Sequence, residues 1–126
     1  MDIPDNNKYS KEHEWIRIEG DNIFVGITDF AQEQLGDIVF VEVETIGETL
    51  YQGDVFGTIE AVKTVSELFL PVDADIAEFN EKLVEKPDLI NTDPYGEGWI
   101  VKIILKNPSQ LNSLLSADEY KKSFNI

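Results

Sequence analysis

FGTIEAVKTVSEL, residues 56–68, is the stretch from which the fold can be read. It lies between two runs that read as β-strands, 54–62 leading in and 65–72 leading out. The short break places Lys63 at a hairpin tip. Val55, Ile59 and Val62 before it, and Val65, Leu68 and Leu70 after it, are expected to anchor the tip in a core. Pro71 marks an edge or a strand end, because proline cannot donate to a ladder. Val-Lys-Thr is not one of the strong turn sequences, since neither Asn-Gly nor Asp-Gly is present. Lys63 is also the only basic side chain from residue 18 to residue 81, a span with fifteen carboxylates and no arginine. A lone lysine at a tip has two readings. It is a chemical handle, held exposed for an enzyme that acylates it, or an ordinary solvated lysine paired with Glu60 or Glu67.

Working outward, short strands and turn signals continue. Glu14 to Ile18 and Ile23 to Ile27 alternate around the turn Glu19-Gly20-Asp21-Asn22. Thr28 offers an N-cap to a helix over 29–35 that Gly36 can end, with Ala31 and Leu35 on one face. Residues 38–43, IVFVEV, form a β-branched run. Gly47 and Gly53 sit in turn signals six residues apart. A further strand is expected at Ile76 to Asn80 and a last one at Trp99 to Leu105. Residues 85–98, EKPDLINTDPYGEG, form a long loop of a kind that often works as a functional surface. Helical segments are expected over 108–123: Asn107 caps a proline-led start, and Ser116 with Glu119 forms a capping box. Leu111, Leu114 and Leu115 form an apolar stripe. The sum is a mainly β protein, a sandwich or barrel with helices at its edges.

At 126 residues and 42% hydrophobic content the chain is most simply one domain, 1–126, with a polar, loose start over 1–8. The net charge of −15 argues against nucleic acids and anionic membranes, and towards partners with basic patches. No cysteine is present, which removes disulfides and thiolate metal sites. The acidic opening Met1-Asp2-Ile3-Pro4-Asp5 is unlike a secretory or transit segment and points to a cytoplasmic protein. His13 is the only histidine. Without cysteines it makes a poor zinc site, and a surface or strand-edge role is the expectation. Trp15, Trp99 and Tyr95 read as core or groove-lining aromatics. Tyr95 either belongs to a partner surface or plugs its loop onto the sheet.

Four segments together, His13-Glu14-Trp15, GITDFAQEQLGDIVFVEV (26–43), FGTIEAVKTVSEL (56–68) and LINTDPYGEGWIVKI (89–103), resemble the H proteins of the glycine cleavage system. The likeness runs from about Tyr9 to Tyr120. It implies a flattened barrel-sandwich hybrid of the lipoyl-domain kind and a carrier with no catalysis of its own. Lys63 matches the lipoylated position, with lipoate attached as lipoyllysine. The resemblance implies glycine decarboxylase (pyridoxal-phosphate), a folate-dependent aminomethyltransferase, the flavoenzyme dihydrolipoyl dehydrogenase and a lipoyl ligase or transferase as partners of a soluble monomer. Acids matching Glu14 and Glu67 face the amino group of the loaded arm in that family. Two other roles fit the sequence: a relay passing lipoyl groups to 2-oxoacid dehydrogenases, and an unmodified acidic adaptor. One departure stands out. Ala74, in Pro71-Val72-Asp73-Ala74-Asp75, replaces a glycine common in the family, which implies a strained or reshaped turn.

Overall fold

A computed structural model describes all 126 residues. Nine strands form two antiparallel sheets. The larger has the order β1 (Lys8–Tyr9), β2 (Glu14–Glu19), β3 (Asn22–Ile27), β9 (Val101–Leu105), β8 (Ala74–Phe79), β5 (Thr49–Leu50). The smaller has β6 (Val55–Ala61) between β4 (Ile38–Glu42) and β7 (Val65–Phe69). Helix α1 (Asp29–Leu35) joins β3 to β4. Two one-turn helices, α2 (Lys82–Glu85) and α3 (Leu89–Thr92), lie between β8 and β9. A 3-10 helix (Pro108–Ser113) and α4 (Ala117–Phe124) end the chain.

Period-two alternation builds two cores from the larger sheet. Ile16 and Val25 face the smaller sheet, meeting Phe56, Ile59 and Leu68 in one cluster that both sheets share. Trp15 faces the other way, into a second cluster with Ile3, Tyr9, Phe24, Ala117 and Tyr120. Gly26 opposes Trp15 in the ladder, and a Cβ there would lie 2.6 Å from the indole. The missing side chain is what lets the ring lie flat on the sheet.

Local signals were faithful around α1 and α4. Thr28 Oγ1 accepts from the Ala31 N–H at 3.1 Å, and Gly36 ends the helix with φ +81°. Ala31 and Leu35 both pack on the shared cluster. The capping box of α4 is present in both directions.

Several expectations need correction. Residues 1–8 are tied down: Ile3 is buried in the second cluster, the Asp2 N–H donates to Asp29, and the Asp2 carbonyl accepts from the Tyr95 hydroxyl at 2.7 Å. The apolar contact of one isoleucine, invisible in a polar composition, anchors the segment. Asn107 does not cap with its side chain, which instead accepts from Ser109 Oγ at 2.6 Å. Leu111 and Leu114 join the shared cluster while Leu115 packs on the second, so the stripe is divided between two cores.

Ala74 carries no strained turn. It opens β8, two residues earlier than expected, and is fully buried between Leu50 and Leu105. Its φ is not positive, so a Cβ costs nothing there and fills core space.

Candidate functional site

The tip of the small sheet is made by its ladder. Glu60 pairs with Val65, and the Ala61 N–H donates to the Thr64 carbonyl at 2.8 Å, leaving Val62 and Lys63 as the loop. Neither has positive φ, so this is not a turn of the primed type usual in two-residue hairpins. The tip draws its geometry from outside the hairpin instead. The Val62 N–H donates to the Asp37 carbonyl at 2.9 Å, fastening it to the link between α1 and β4.

Of the six residues expected to anchor the tip, only Ile59, Leu68 and Leu70 are buried. Val55, Val62 and Val65 are exposed, Val62 by 74%. The pleat explains it. With Ile59 and Ala61 facing inward, Glu60 and its partner Val65 must face out. Phe56 and Ala61 supply the missing inward contacts.

Lys63 is exposed and takes part in none of the five ion pairs of the chain. The pairing with Glu60 or Glu67 that an ordinary surface lysine would make is not formed. Its side chain lies over Gly36, where a Cβ would stand 3.4 Å from Cε.

Beside the hairpin is a cleft of about 300 Å³. Glu14 and Glu67, far apart in sequence, both line it, with His13, Phe30, Ile59 and Ser66 among the walls. Glu67 is exposed on the edge strand β7. Glu14 is only 2% exposed. Its Oε1 accepts from Ser10 Oγ at 2.7 Å. Burial opposes its charge and pushes its pKa up to about 8. Nothing in the sequence marks Ser10, a common polar residue four positions away across a turn.

That turn depends on His13, whose φ is +71°. The ring is half-buried against Phe30 and Phe124, and Nδ1 lies 2.6 Å from the Tyr120 hydroxyl. Tyr120 also meets Thr28 Oγ1 at 2.8 Å. Burial lowers the pKa of His13. It belongs to the turn entering β2, packed among aromatic rings rather than free on the surface, and it joins no group of side chains suited to a metal ion. Tyr95 is the plug of its loop: its hydroxyl accepts from the Asp29 N–H at 2.9 Å, and its carbonyl accepts from Arg17. Glu42, Glu44 and Glu48 are exposed.

A three-stranded sheet packed on a six-stranded one, with short helices and an acid-lined cleft alongside, is a β sandwich of the lipoyl-domain-like kind. The comparisons make the assignment specific. The family described as "Glycine cleavage H-protein" matches residues 7–125. A glycine cleavage system H protein of Bacteroides fragilis is 59% identical over 125 residues, covering 99% of each chain. One from Staphylococcus haemolyticus is 50% identical over 122 residues, covering 97% of each. The crystal structure of a glycine cleavage system H protein from Mycobacterium marinum superposes with a TM-score of 0.88 at 40% identity, covering 98% of this chain and 100% of that one. The chain belongs to the glycine cleavage H-protein family.

Proposed function

We propose that Lys63 carries lipoate in amide linkage. The loaded chain then serves as the non-catalytic shuttle of the glycine cleavage system, between glycine decarboxylase, aminomethyltransferase and dihydrolipoyl dehydrogenase. The observation that carries this reading is Lys63 itself: exposed, without an ion pair, and set on a tip fastened from outside its own hairpin. A ligase needs an acceptor amine that is accessible and held in one place. A bound lipoyl group supplies the redox-active dithiolane that takes up and gives back the aminomethyl unit.

The chain's own residues then have separable tasks. Glu67, the third residue of β7, is four positions beyond Lys63, so their Cα atoms are at most about 14 Å apart. An extended lysyl-acyl arm covers that distance, so its end can enter the cleft. Ile59, Phe30 and Leu35 make the walls apolar and limit water. Burial biases Glu14, held by Ser10, towards its protonated form while no cation is near. An ammonium group entering the cleft favours the carboxylate, so its arrival releases the Glu14 proton to solvent. Glu67 adds a second negative charge at the rim. The result is a shelter for a charged amine that would otherwise meet bulk water.

Exchange of labelled bicarbonate into the glycine carboxyl, catalysed by purified glycine decarboxylase, tests the role. Lipoylated protein should support exchange, and the unmodified protein should not. No exchange with a carrier proven by mass to be lipoylated would count against this client.

A further inference from the structure

We propose that Asn91, in the one-turn helix α3 between β8 and β9, is a positioning residue for Lys63. It locks the turn on which the lysine lies, and so sets the direction in which the tip presents its amine. The proposal rests on the reading of Lys63 as the acylated residue.

Three hydrogen bonds of one side chain make the lock. Asn91 Oδ1 accepts from the Ile38 N–H at 3.0 Å, and Nδ2 donates to the Gly36 carbonyl at 2.8 Å and to Gln32 Oε1 at 2.9 Å. The amide therefore spans the end of α1, the Gly36-Asp37 link and the first residue of β4. Those are the same residues that meet the tip. Asp37 takes the Val62 N–H, Ile38 pairs with Ala61 across the ladder, and the Lys63 side chain passes over Gly36. The tip lacks the turn chemistry that would hold it unaided. Asn91 restores that rigidity from a distance of 28 residues in sequence.

The helix α3 that carries Asn91, and the turn that follows it, are built to stand still. Ile90 beside it is fully buried. The Asp93 carbonyl accepts from both Gly96 and Gly98, and Asp93 Oδ2 accepts from the Glu97 N–H. A Cβ on Gly98 would lie 2.7 Å from the Leu89 and Asp93 carbonyls, so the loop closes on itself too tightly for a side chain. A general need to satisfy buried polar groups explains one bond to a peptide. It does not explain an amide whose three bonds span the segment from α1 to β4, with Gly36, beneath the exposed lysine, at its centre.

The test uses the full chain with Asn91→Ala and Asn91→Asp. The aspartate keeps the side-chain volume and the acceptor for Ile38, but it turns an oxygen toward the Gly36 carbonyl. Amide hydrogen exchange is the first readout. Asn91 does not touch the Val62 amide, so coupling predicts that Val62 exchanges at least about tenfold faster in both variants, while Ile38 accelerates in the alanine variant. The second readout is acylation by a lipoate ligase with lipoate and ATP. For folded variants kcat should fall about tenfold with KM for the carrier nearly unchanged, because the tip is docked but misaligned. The end point should stay at one lipoyl group per chain. Acceleration at Ile38 alone in the alanine variant, or an unchanged Val62 rate together with an unchanged kcat, would overturn the proposal. If wild-type protein accepts no lipoyl group, the reading of Lys63 fails, and exchange at Val62 still decides whether Asn91 holds the tip.

Discussion

The Ser10 hydroxyl donates to Glu14 Oε1 at 2.7 Å and accepts from the Glu14 N–H at 3.1 Å, so one serine fixes both the backbone and the carboxyl of the cleft's buried acid. The pair makes burial of Glu14 tolerable without making its charge favourable, and its pKa stands near 8 against an ordinary 4.5.

The pH dependence follows in sign. Between the two values the folded chain keeps a proton that the unfolded chain has lost. Stability contributed by this group is therefore present below the unfolded pKa and declines as pH rises towards 8, by about 1.4 kcal/mol per unit crossed. Glu14→Gln keeps an acceptor for Ser10 and removes the titration. Its Tm should match that of the unmodified wild type near pH 4.5 and exceed it at pH 8. A Tm difference that does not change with pH would show that Glu14 is ionised in the empty cleft.

With an amine-loaded arm the same substitution should act in the opposite sense. Glu14→Gln and Glu67→Gln each remove a charge from the cleft, so the loaded carrier should lose its one-carbon unit to water faster. The larger effect is expected at Glu14, which is buried. Release of formaldehyde from the loaded protein measures it, and equal rates in all three proteins would remove both acids from the shelter.

Tyr120→Phe deletes the hydroxyl that joins His13 Nδ1 to Thr28 Oγ1. His13 lines the cleft and packs on Phe124 of α4, and Thr28 is fully buried. Thr28 Oγ1 keeps the Ala31 N–H and His13 is only half-buried, so losing the hydroxyl should cost about 0.5–1.5 kcal/mol, read by urea denaturation. A loss below a few tenths would mean that water replaces the hydroxyl.

Gly26→Ala tests the packing of the second core. The new methyl would meet the Trp15 ring at 2.6 Å, and the ring is held by its N–H donating to the Pro94 carbonyl at 3.1 Å. A destabilisation of about 1–3 kcal/mol is expected, with a changed Trp fluorescence. An unchanged Tm would show that the indole can slide.

How much of this was legible beforehand depended on distance along the chain. The hairpin, the caps at Thr28, Gly36 and Ser116, and the strand end that Pro71 follows are local, and local patterns report them. Lys63 was conspicuous by charge. Glu14 and Glu67 were picked out only through family likeness, since among twenty-five acids nothing in composition separates them. What stayed hidden was non-local. Ser10 and Asn91 are common polar residues whose meaning comes from backbone groups brought to them by the fold. The outward turn of Val62 and Val65 depends on ladder register, and a hydrophobic count carries no register. At Ala74 the family's glycine suggests a bend, where the chain has already entered β8.

The acidic surface also makes a kinetic prediction. With a net charge of −15, association with the partner enzymes should slow as ionic strength rises. Stopped-flow association rates between low and physiological salt measure this, and a flat profile would exclude steering by charge.

Intact-mass measurement after reaction with a lipoate ligase, lipoate and ATP tests the central assignment most directly. Wild-type protein should gain the mass of one lipoyl group and Lys63→Arg none. A lipoyl adduct on the Lys63→Arg protein would contradict the account, as would a wild-type chain left unmodified while a control acceptor is lipoylated in the same tube.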